Sequence, residues 1–251
     1  MLSNQITKVI LSLEKKKYRD KYNLFKVEGH KLVHELLQSS FEIKSVIATK
    51  IWLENNNSLD RSIQVYEVDE REMKIISNFQ SLPKVIALVK YPTIDPNITN
   101  KGLSLVLNGI QDPGNMGTIL RIADWFGIND VLCDNACVDA YNPKVIQASM
   151  GAIFRKTPKY INIIEYLKIE KEKNTPIYGT FLNGENIYNT ELTTNAIIIM
   201  GNEGQGISNE ISTLVSTKLT IPSFCTEETS ESLNVGIATG IILSEFKRRT
   251  I

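Results

Sequence analysis

The 251-residue sequence lacks a long apolar run, since none approaches the ~20 residues that a membrane-spanning helix needs. Its first residues, Met1 to Gln5, also lack the charged-then-apolar layout of a secretory signal peptide. Together these absences argue against membrane insertion and secretion. We therefore expect a cytoplasmic protein with no membrane partner.

Cysteine is scarce and odd in number, with three residues in the chain. Such a set argues against a disulfide framework, and Cys133 and Cys137 lack the second ligand pair of a zinc site. His30 and His34 have a spacing that can hold a metal ion. However, Lys31 follows His30 where a metalloprotease helix carries glutamate, and no third ligand suggests itself. We predict no metal site.

The sequence has no net charge, with 28 basic and 28 acidic residues. A neutral total neither suggests nor excludes a nucleic-acid partner, because local clusters matter more. Three basic clusters exist, although any one alone is most often a solvated face. They comprise Lys15, Lys16, Lys17, Arg19 and Lys21; Arg155, Lys156 and Lys159; and Lys247, Arg248 and Arg249.

The chain has neither the dinucleotide fingerprint G-x-G-x-x-G nor the triphosphate motif G-K-[ST]. It does have a glycine-rich stretch, Gly201-Asn202-Glu203-Gly204-Gln205-Gly206, directly after the apolar run from Ile197 to Met200. The run predicts a buried strand, and the glycines allow a sharp turn with close approach to a ligand. On its own the stretch fits a plain tight turn equally well.

Hydrophobic periodicity predicts strands alternating with helices along the whole chain, which is typical of an α/β fold. Prolines with several Asn and Thr residues predict a linker, so we expect domains at 1–92 and 103–251 joined by residues 93–102. Three local expectations are a helix over 4–17, a helix over 116–126 capped by Asn115, and a polar excursion over 183–194.

Three stretches together resemble the ordered motifs of SpoU/TrmH-type RNA ribose methyltransferases, which belong to the SPOUT superfamily. They are Asn108 to Gly127, Ile199 to Ile207, and Ile221-Pro222 with Ser232 to Val235. The segment from Tyr141 to Gly151 is similar to one that the family carries between its first two motifs, and Phe25 to Gly29 resembles the entry to its common N-terminal extension.

The resemblance implies a parallel sheet with a deep C-terminal trefoil knot, preceded by a small ribosomal-protein-like α/β domain that binds RNA. It also implies a homodimer and S-adenosylmethionine as the methyl donor. The residues expected at the donor are Met200, Gly201, Asn202, Gly204, Gly206, Ile221, Leu233 and Asn234. The residues expected at the reacting centre are Asn115, Arg121, Glu203, Ser232 and Asn234.

The implied reaction is attack of a ribose 2′-hydroxyl on the sulfonium methyl group. A guanidinium is a poor base, so we expect Arg121 to grip a neighbouring phosphate rather than deprotonate the hydroxyl. The loop 223–231 is longer and more acidic than usual, which leaves its role open. Lys15, Lys16, Lys17, Arg19, Lys21 and Arg155 are expected to contact RNA phosphates.

The substrate is expected to be structured RNA, ribosomal rather than transfer RNA because of the added N-terminal domain. Two other readings stay open. A dehydrogenase-like enzyme would share the α/β order and glycine loops, but the missing fingerprint counts against it. A non-catalytic RNA-binding protein could keep the fold, but intact Asn115, Arg121, Glu203 and Asn234 count against that.

Overall fold

The computed structural model describes residues 2–57, 59–77, 79, 81–93, 97–99, 101–225 and 232–248. Its contacts divide the chain into a first unit, residues 1–93 with 141–155, and a second unit, residues 94–140 with 156–251. Elements are numbered in chain order. In the described parts of the chain, no helix has the length and apolarity to cross a membrane.

The first unit is built on a four-stranded sheet in the order β1-β4-β2-β3. β2 and β3 are parallel, and β4 is antiparallel to β1 and to β2. The strands are β1 (Leu24–Glu28), β2 (Ile43–Thr49), β3 (Gln64–Val68) and β4 (Val85–Lys90). The helices are α1 (Asn4–Ser12), α2 (Lys16–Tyr22), α3 (His30–Leu37), α4 (Lys50–Glu54), α5 (Glu70–Ile76) and α7 (Pro143–Ser149), with a 3₁₀ turn at Ala152–Phe154.

The expected helix over 4–17 is wrong, because the chain breaks into α1 and α2. Leu13 ends α1, and Lys15 adopts an extended backbone before α2 begins. Leu13 is fully buried, and Arg19 donates hydrogen bonds to the carbonyls of Leu13 and Glu14 at 2.8 and 2.9 Å. The break therefore places an apolar side chain in the core and satisfies the carbonyls that the end of α1 leaves free.

The segment 141–155 was expected in the C-terminal domain, but its contacts place it in the first unit. Aromatic packing explains this. The Tyr141 ring stacks on Phe25 with centroids 4.6 Å apart, and Phe154 meets Phe41 edge-on at 5.4 Å. Such pairs add attraction beyond their buried area, so the segment is held by β1 and its neighbours.

The second unit contains a parallel sheet in the order β10-β8-β9-β5-β6-β7. Its strands are β5 (Leu103–Leu107), β6 (Asp130–Cys133), β7 (Lys159–Tyr160), β8 (Ile177–Asn186), β9 (Ala196–Met200) and β10 (Thr217–Thr220). Its helices are α6 (Pro113–Trp125), α8 (Ile163–Glu172), α9 (Asn209–Ser212) and α10 (Val235–Arg248). The predicted α/β fold with a parallel sheet is confirmed.

The central strands β5 and β9 are buried along their whole length, as expected for a parallel sheet covered on both faces. α8 was not predicted, yet its Ile163, Tyr166 and Leu167 join the core around Ile197 and Ile199. Lysines and glutamates alternate with the apolar residues of α8, so the helical spacing of the apolar residues is hard to recognise in the sequence.

β8 extends to Asn186, so residues 183–186 are strand and the expected polar excursion begins later. A register shift in β10 between Lys218 and Leu219 lets Leu219 and Thr220 pair with Glu185 and Asn186. Gly184 permits this, because a Cβ there would lie 2.6 Å from the Lys218 carbonyl oxygen.

The described residues of the expected linker are attached to the second unit. Asp130 accepts hydrogen bonds from the Thr99 amide at 2.9 Å and hydroxyl at 2.6 Å, and it pairs with Lys159 at 2.8 Å. Ile98 packs against the core of the second unit. Burial raises the pKa of Asp130, but the bonds from Lys159 and Thr99 outweigh it and hold the pKa below its ordinary value.

Candidate active site

The candidate site forms at the carboxyl edge of the second-unit sheet, where β5 and β9 end side by side with Leu107 opposite Met200. Ligand sites of open parallel sheets occur at this edge. Asn108 follows β5 and its amide donates to the Met200 carbonyl at 2.9 Å. The segments after both strands are thus fixed to each other before any side chain is considered.

Asn108 and Asp134 organise this edge, although the sequence reasoning gave neither a role. The Asn108 amide nitrogen donates to Asp134 at 2.6 Å, and its oxygen accepts from the Ser208 amide at 2.8 Å. The other Asp134 oxygen accepts from the backbone amides of Gly109, Ala136 and Cys137 at 3.0 to 3.1 Å. Their signal in the sequence is a polar residue directly after a buried strand.

The glycine loop, residues 201–206, closes on itself. Asn202 and Gly206 exchange backbone hydrogen bonds of 3.0 and 2.9 Å. The Asn202 side chain donates to the Gly109 carbonyl at 2.7 Å and accepts from the amides of Gly204 and Gln205. Asn202, predicted to contact the donor, is thus the internal brace of the loop.

Glycine is required at Gly201, because a Cβ there would lie 2.4 Å from the Gly206 carbonyl carbon. Gly206 has a φ of +68° and open space where a Cβ would point, while at Gly204 the nearest atom is 3.7 Å from that position. The loop therefore presents bare backbone to its open side. The Met200 side chain, also predicted at the donor, lies instead in the core with 2% exposure.

Three of the predicted reacting-centre residues form one hydrogen-bonded chain. Asn115 donates from its amide to Glu203 Oε1 at 2.8 Å, and its amide oxygen accepts from Asn234 Nδ2 at 2.8 Å. Asn234 in turn accepts from the amides of Gly236 and Ile237 at the start of α10. The chain joins α6, the glycine loop and α10, which lie far apart in sequence. We call it the Glu203–Asn115–Asn234 chain.

The expectation that Asn115 caps its helix is wrong. α6 begins at Pro113, and Asp112 is its N-cap, accepting from the Asn115 amide at 2.8 Å. Proline at the first helical position suits this start because its missing N–H would be unsatisfied there. Asp112 therefore leaves the Asn115 side chain available for Glu203 and Asn234.

Arg121 lies outside that chain. It follows Asn115 by six residues, which is about 9 Å along the axis of α6, and its side chain is exposed. It lines a shallow surface groove with Thr118, Ile122, Trp125 and Phe126. Within the part of the chain that the structure describes, its guanidinium has no hydrogen bond or ion pair. It is therefore available to an anionic ligand.

Three predicted residues remain: Ile221 and Leu233, expected at the donor, and Ser232, expected at the reacting centre. Ile221 directly follows β10 and is half-buried, whereas Ser232 and Leu233 are exposed next to the start of α10. Residues 226–231, which carry most of the predicted acidic loop, lie outside the described residues.

The two buried thiols beneath the edge carry no reactive chemistry. Cys137 Sγ donates to the Leu107 carbonyl and accepts from the Ile110 amide, both at 3.3 Å. Burial, with the neighbouring Cys137 thiol and Asp134, raises the pKa of Cys133 well above its ordinary value. A protonated, enclosed thiol is a poor nucleophile and metal ligand. Among the described residues, no group of three potential metal ligands comes together.

The predicted phosphate contacts lie in the first unit, and the structure corrects one of them. Lys15, Lys16, Lys17 and Lys21 are exposed. Arg19 is not available, since it is 2% exposed and its guanidinium donates to the carbonyls at the end of α1. A cluster of basic residues in the sequence does not indicate which one of them will be buried.

Arg155, the remaining predicted phosphate contact, pairs with Glu35 in the first unit. Lys159, a member of the same basic cluster, is 17% exposed and pairs with Asp130. An RNA phosphate would have to compete with these carboxylates.

The backbone-lined loop, the apolar Ile221 and Leu233, and the exposed polar chain fit S-adenosylmethionine, which combines an adenosine and a charged amino-acid end. The fit rests on Gly204 and Gly206, whose Cβ positions are open. Residues 201–206, 221 and 232–234 would hold the group.

Comparisons with known proteins identify the family of this chain. A family model described as the SpoU rRNA Methylase family matches residues 102–244, and one described as an MRM3-like substrate binding domain matches residues 4–87. The chain is 29% identical over 244 residues to the 23S rRNA (guanosine(2553)-2′-O)-methyltransferase RlmP of Bacillus subtilis, covering 96% of this chain and 95% of that protein.

Two solved structures share the whole fold. A Porphyromonas gingivalis protein classed in the TrmH family of RNA methyltransferases has a TM-score of 0.90 and 39% identity, covering 99% of each chain. The AdoMet-bound rRNA methyltransferase of Sinorhizobium meliloti has a TM-score of 0.85 and 26% identity, covering 100% of this chain and 97% of that one. The resemblance predicted from the three motifs is confirmed.

Proposed function

Because this chain belongs to the SpoU rRNA methylase family, we propose that it transfers a methyl group from S-adenosylmethionine to a ribose 2′-hydroxyl of RNA. The observation that carries the proposal is the Glu203–Asn115–Asn234 chain. It brings one residue from each of the three motifs to the sheet edge that also holds the glycine loop.

Ribosomal RNA of the large subunit is the favoured substrate, with transfer RNA second. The Bacillus relative is named for 23S rRNA, and its similarity spans nearly the whole of both chains, including the first unit. The match of residues 4–87 to a substrate-binding domain supports residues 1–92 as the RNA-binding domain, and the match of residues 102–244 supports residues 103–251 as the methyltransferase domain, from which residues 141–155 are packed into the first unit. With such a substrate, the protein works in the cytoplasm.

S-adenosylmethionine supplies a methyl group on a positively charged sulfur. In the transfer, the ribose oxygen forms a bond to the methyl carbon, the carbon–sulfur bond breaks, and the hydroxyl proton is lost. Positive charge disappears from the sulfur, so a dry and preorganised pocket favours the step. Gly201, Ile221 and Leu233 hold the adenosyl end in this assignment.

The remaining side chains orient the ribose or stabilise the negative charge that develops on its oxygen. Asn115 and Asn234, each fixed by a bond of 2.8 Å, orient the ribose, and Glu203 fixes Asn115 from the loop side. Ser232 adds a hydroxyl beside Asn234. Arg121, whose guanidinium is exposed, binds an adjacent phosphate through two parallel N–H bonds and stabilises the developing alkoxide. The proton then leaves to the phosphate or to water.

We further propose the trefoil knot and the homodimer that the family resemblance implies. The sheet order supports the knot, because β8, β9 and β10 lie on one side of β5 while α10 returns to pack against α6. The dimer is supported by an apolar surface on those two helices. Trp125 on α6 is 85% exposed and Ile237 on the neighbouring helix α10 is 58% exposed, and a contiguous apolar surface formed by such side chains would mark an association site.

The deciding experiment supplies the purified protein with methyl-labelled S-adenosylmethionine and total RNA from cells that lack this enzyme. Nucleosides from the digested RNA are then identified by mass. Label on a ribose oxygen is expected, in the fraction containing large-subunit RNA. Label on a base would contradict the chemistry. RNA binding with no binding of the donor would favour the non-catalytic RNA-binding protein, and an Asn115→Ala variant controls for contaminating activity.

A further inference from the structure

The helix α2 of the first unit carries two tyrosines among its exposed lysines. Tyr18 and Tyr22 are four residues apart, and their rings are nearly parallel, with an interplanar angle of 18° and centroids 6.5 Å apart. Tyr22 is 37% exposed, and the ammonium of Lys21 lies 5.5 Å from the centroid of its ring. Tyr18 is half-buried, so Tyr22 is the more exposed of the two rings.

The buried Arg19 sets the orientation of this helix. Because its guanidinium points inward to the carbonyls of Leu13 and Glu14, the opposite side of α2, which carries Lys17 and Lys21, faces outward. Tyr18 and Tyr22 lie one turn apart on the flank of the helix, with Tyr18 half-buried and Tyr22 exposed, and Lys15 precedes them as the N-cap. We call these three residues the tyrosine stripe.

The charge around the tyrosine stripe favours a polyanion. Lys15, Lys16, Lys17 and Lys21 are exposed, against the single exposed carboxylate of Asp20 on this helix. Asp20 pairs with Lys16 at 2.8 Å, which leaves the other three ammonium groups in excess. An aromatic face bordered by cations suits nucleotides, whose bases stack and whose phosphates are anionic.

We propose that Tyr18 and Tyr22 form a stacking platform for an unpaired base of the RNA substrate, with Lys15, Lys17 and Lys21 contacting the flanking phosphates. This inference rests on the proposed function only in taking RNA as the ligand. Bases inside an A-form duplex offer no free face, so the platform selects a loop, bulge or splayed nucleotide. The lysines add affinity for RNA phosphates but do not distinguish unpaired from paired nucleotides.

The test compares two RNA probes with the full-length protein: a single-stranded mixed-sequence 12-mer and a blunt duplex of the same length. In the double variant Y18A/Y22A, affinity for the single strand should fall about tenfold or more, since stacking on one aromatic contributes on the order of 1–3 kcal/mol per base. Affinity for the duplex and the salt dependence of binding should not change. The triple variant K15A/K17A/K21A should weaken both probes and flatten the salt dependence.

Two controls separate stacking from folding. Y18F/Y22F keeps both rings and should retain single-strand affinity, whereas Tyr188→Ala removes a comparably exposed tyrosine of the second unit and should have no effect. Unchanged single-strand affinity in Y18A/Y22A would overturn the proposal and assign the tyrosine stripe to another partner, such as a protein. Equal losses on both probes would overturn it too.

Donor binding and methyl transfer are measured on the same preparations, so the two proposals can fail separately. Tyrosine-dependent binding of single strands without methyl transfer would keep the platform and contradict the enzyme. Methyl transfer with tyrosine-independent binding would keep the enzyme and contradict the platform.

Discussion

The guanidinium of Arg121 is exposed, while the candidate reacting-centre amides nearby are already hydrogen-bonded to each other. A charged side chain without a partner in the fold is available to bind a ligand. A guanidinium is planar and can donate two parallel hydrogen bonds to one phosphate, which the ammonium group of lysine cannot do. At the residue scale, the proposed chemistry therefore combines the exposed guanidinium of Arg121 with amides that are already fixed by hydrogen bonds.

Arg121→Lys tests the proposed role of this guanidinium. Lysine keeps the charge but not the two parallel donors, so we expect the rate of methyl transfer in a single turnover to fall about 100-fold. Donor affinity, measured by calorimetry, should stay the same because Arg121 does not line the glycine loop. A lysine variant with near-normal turnover would contradict the bidentate role.

Gly201→Ala tests the shape of the loop. Its new Cβ would lie 2.4 Å from a backbone atom of Gly206, so the loop must open and donor affinity should fall at least tenfold. Gly240→Ala in the middle of α10 is the matched control, because the nearest atom there is 3.6 Å away and alanine suits a helix. Tight donor binding by G201A would show that the glycine loop can bind the donor with a different backbone conformation.

At the element scale, helix starts and strand edges decide how the site is held. α6 starts three residues earlier than the sequence suggests, and this single change converts Asn115 from a cap into a residue of the candidate site. The ion pair between Asp130 and Lys159 joins β6 to the edge strand β7, and hydrogen bonds from Thr99 and to Asn97 tie both strands to residues 97–99.

Asp112→Ala and Asn115→Ala should separate stability from activity. Loss of the Asp112 cap should lower the free energy of unfolding by about 1 kcal/mol, measured by urea denaturation. Asn115→Ala should cost little stability, because its side chain does not cap α6, yet it should strongly slow methyl transfer. If Asn115→Ala were the more destabilising of the two, its bonds to Glu203 and Asn234 would serve the fold rather than the reaction.

Asp130→Asn should change how stability depends on pH. The folded pKa of Asp130 is lowered, so its stabilisation is complete above the unfolded value of about 3.9 and is lost as pH falls through the folded value. At pH 7 we expect the variant to lose about 2 kcal/mol. Wild type and variant should converge towards pH 2, and a constant difference across the acid range would exclude the ion pair as the cause.

At the scale of the whole molecule, the second unit leaves a large aromatic side chain in solvent. Trp125 is 85% exposed on α6, beside the groove that contains Arg121. A homodimer through α6 and α10 would cover it and would place the interface next to the candidate site.

Trp125→Glu should therefore yield a monomer by light scattering at micromolar concentration, because a buried unpaired carboxylate opposes association. The exposed Ile51→Glu in the first unit is the control and should leave the oligomer unchanged. A wild-type protein that is monomeric at every concentration would contradict the homodimer.

The sequence by itself determined the α/β class, most strands and the family. Apolar β-branched runs such as Ile197 to Met200 have few alternatives to a buried strand, and Gly201 is required by purely local geometry. The three motifs likewise predicted Asn115, Glu203 and Asn234, which the structure joins by hydrogen bonds. These features depend on residue type and local spacing, which a single sequence contains.

Tertiary structure alone decided the remainder. It buried Arg19, assigned residues 141–155 to the first unit, and made Asn108 and Asp134 the frame of the sheet edge. It also separated Arg121 from the amides of the Glu203–Asn115–Asn234 chain. Several of these outcomes depend on a partner that is remote in sequence, such as Phe25 for Tyr141 and Asp134 for Asn108. Because burial and hydrogen bonding are satisfied over the whole fold, local periodicity does not reveal which of several equivalent polar residues a distant segment will meet.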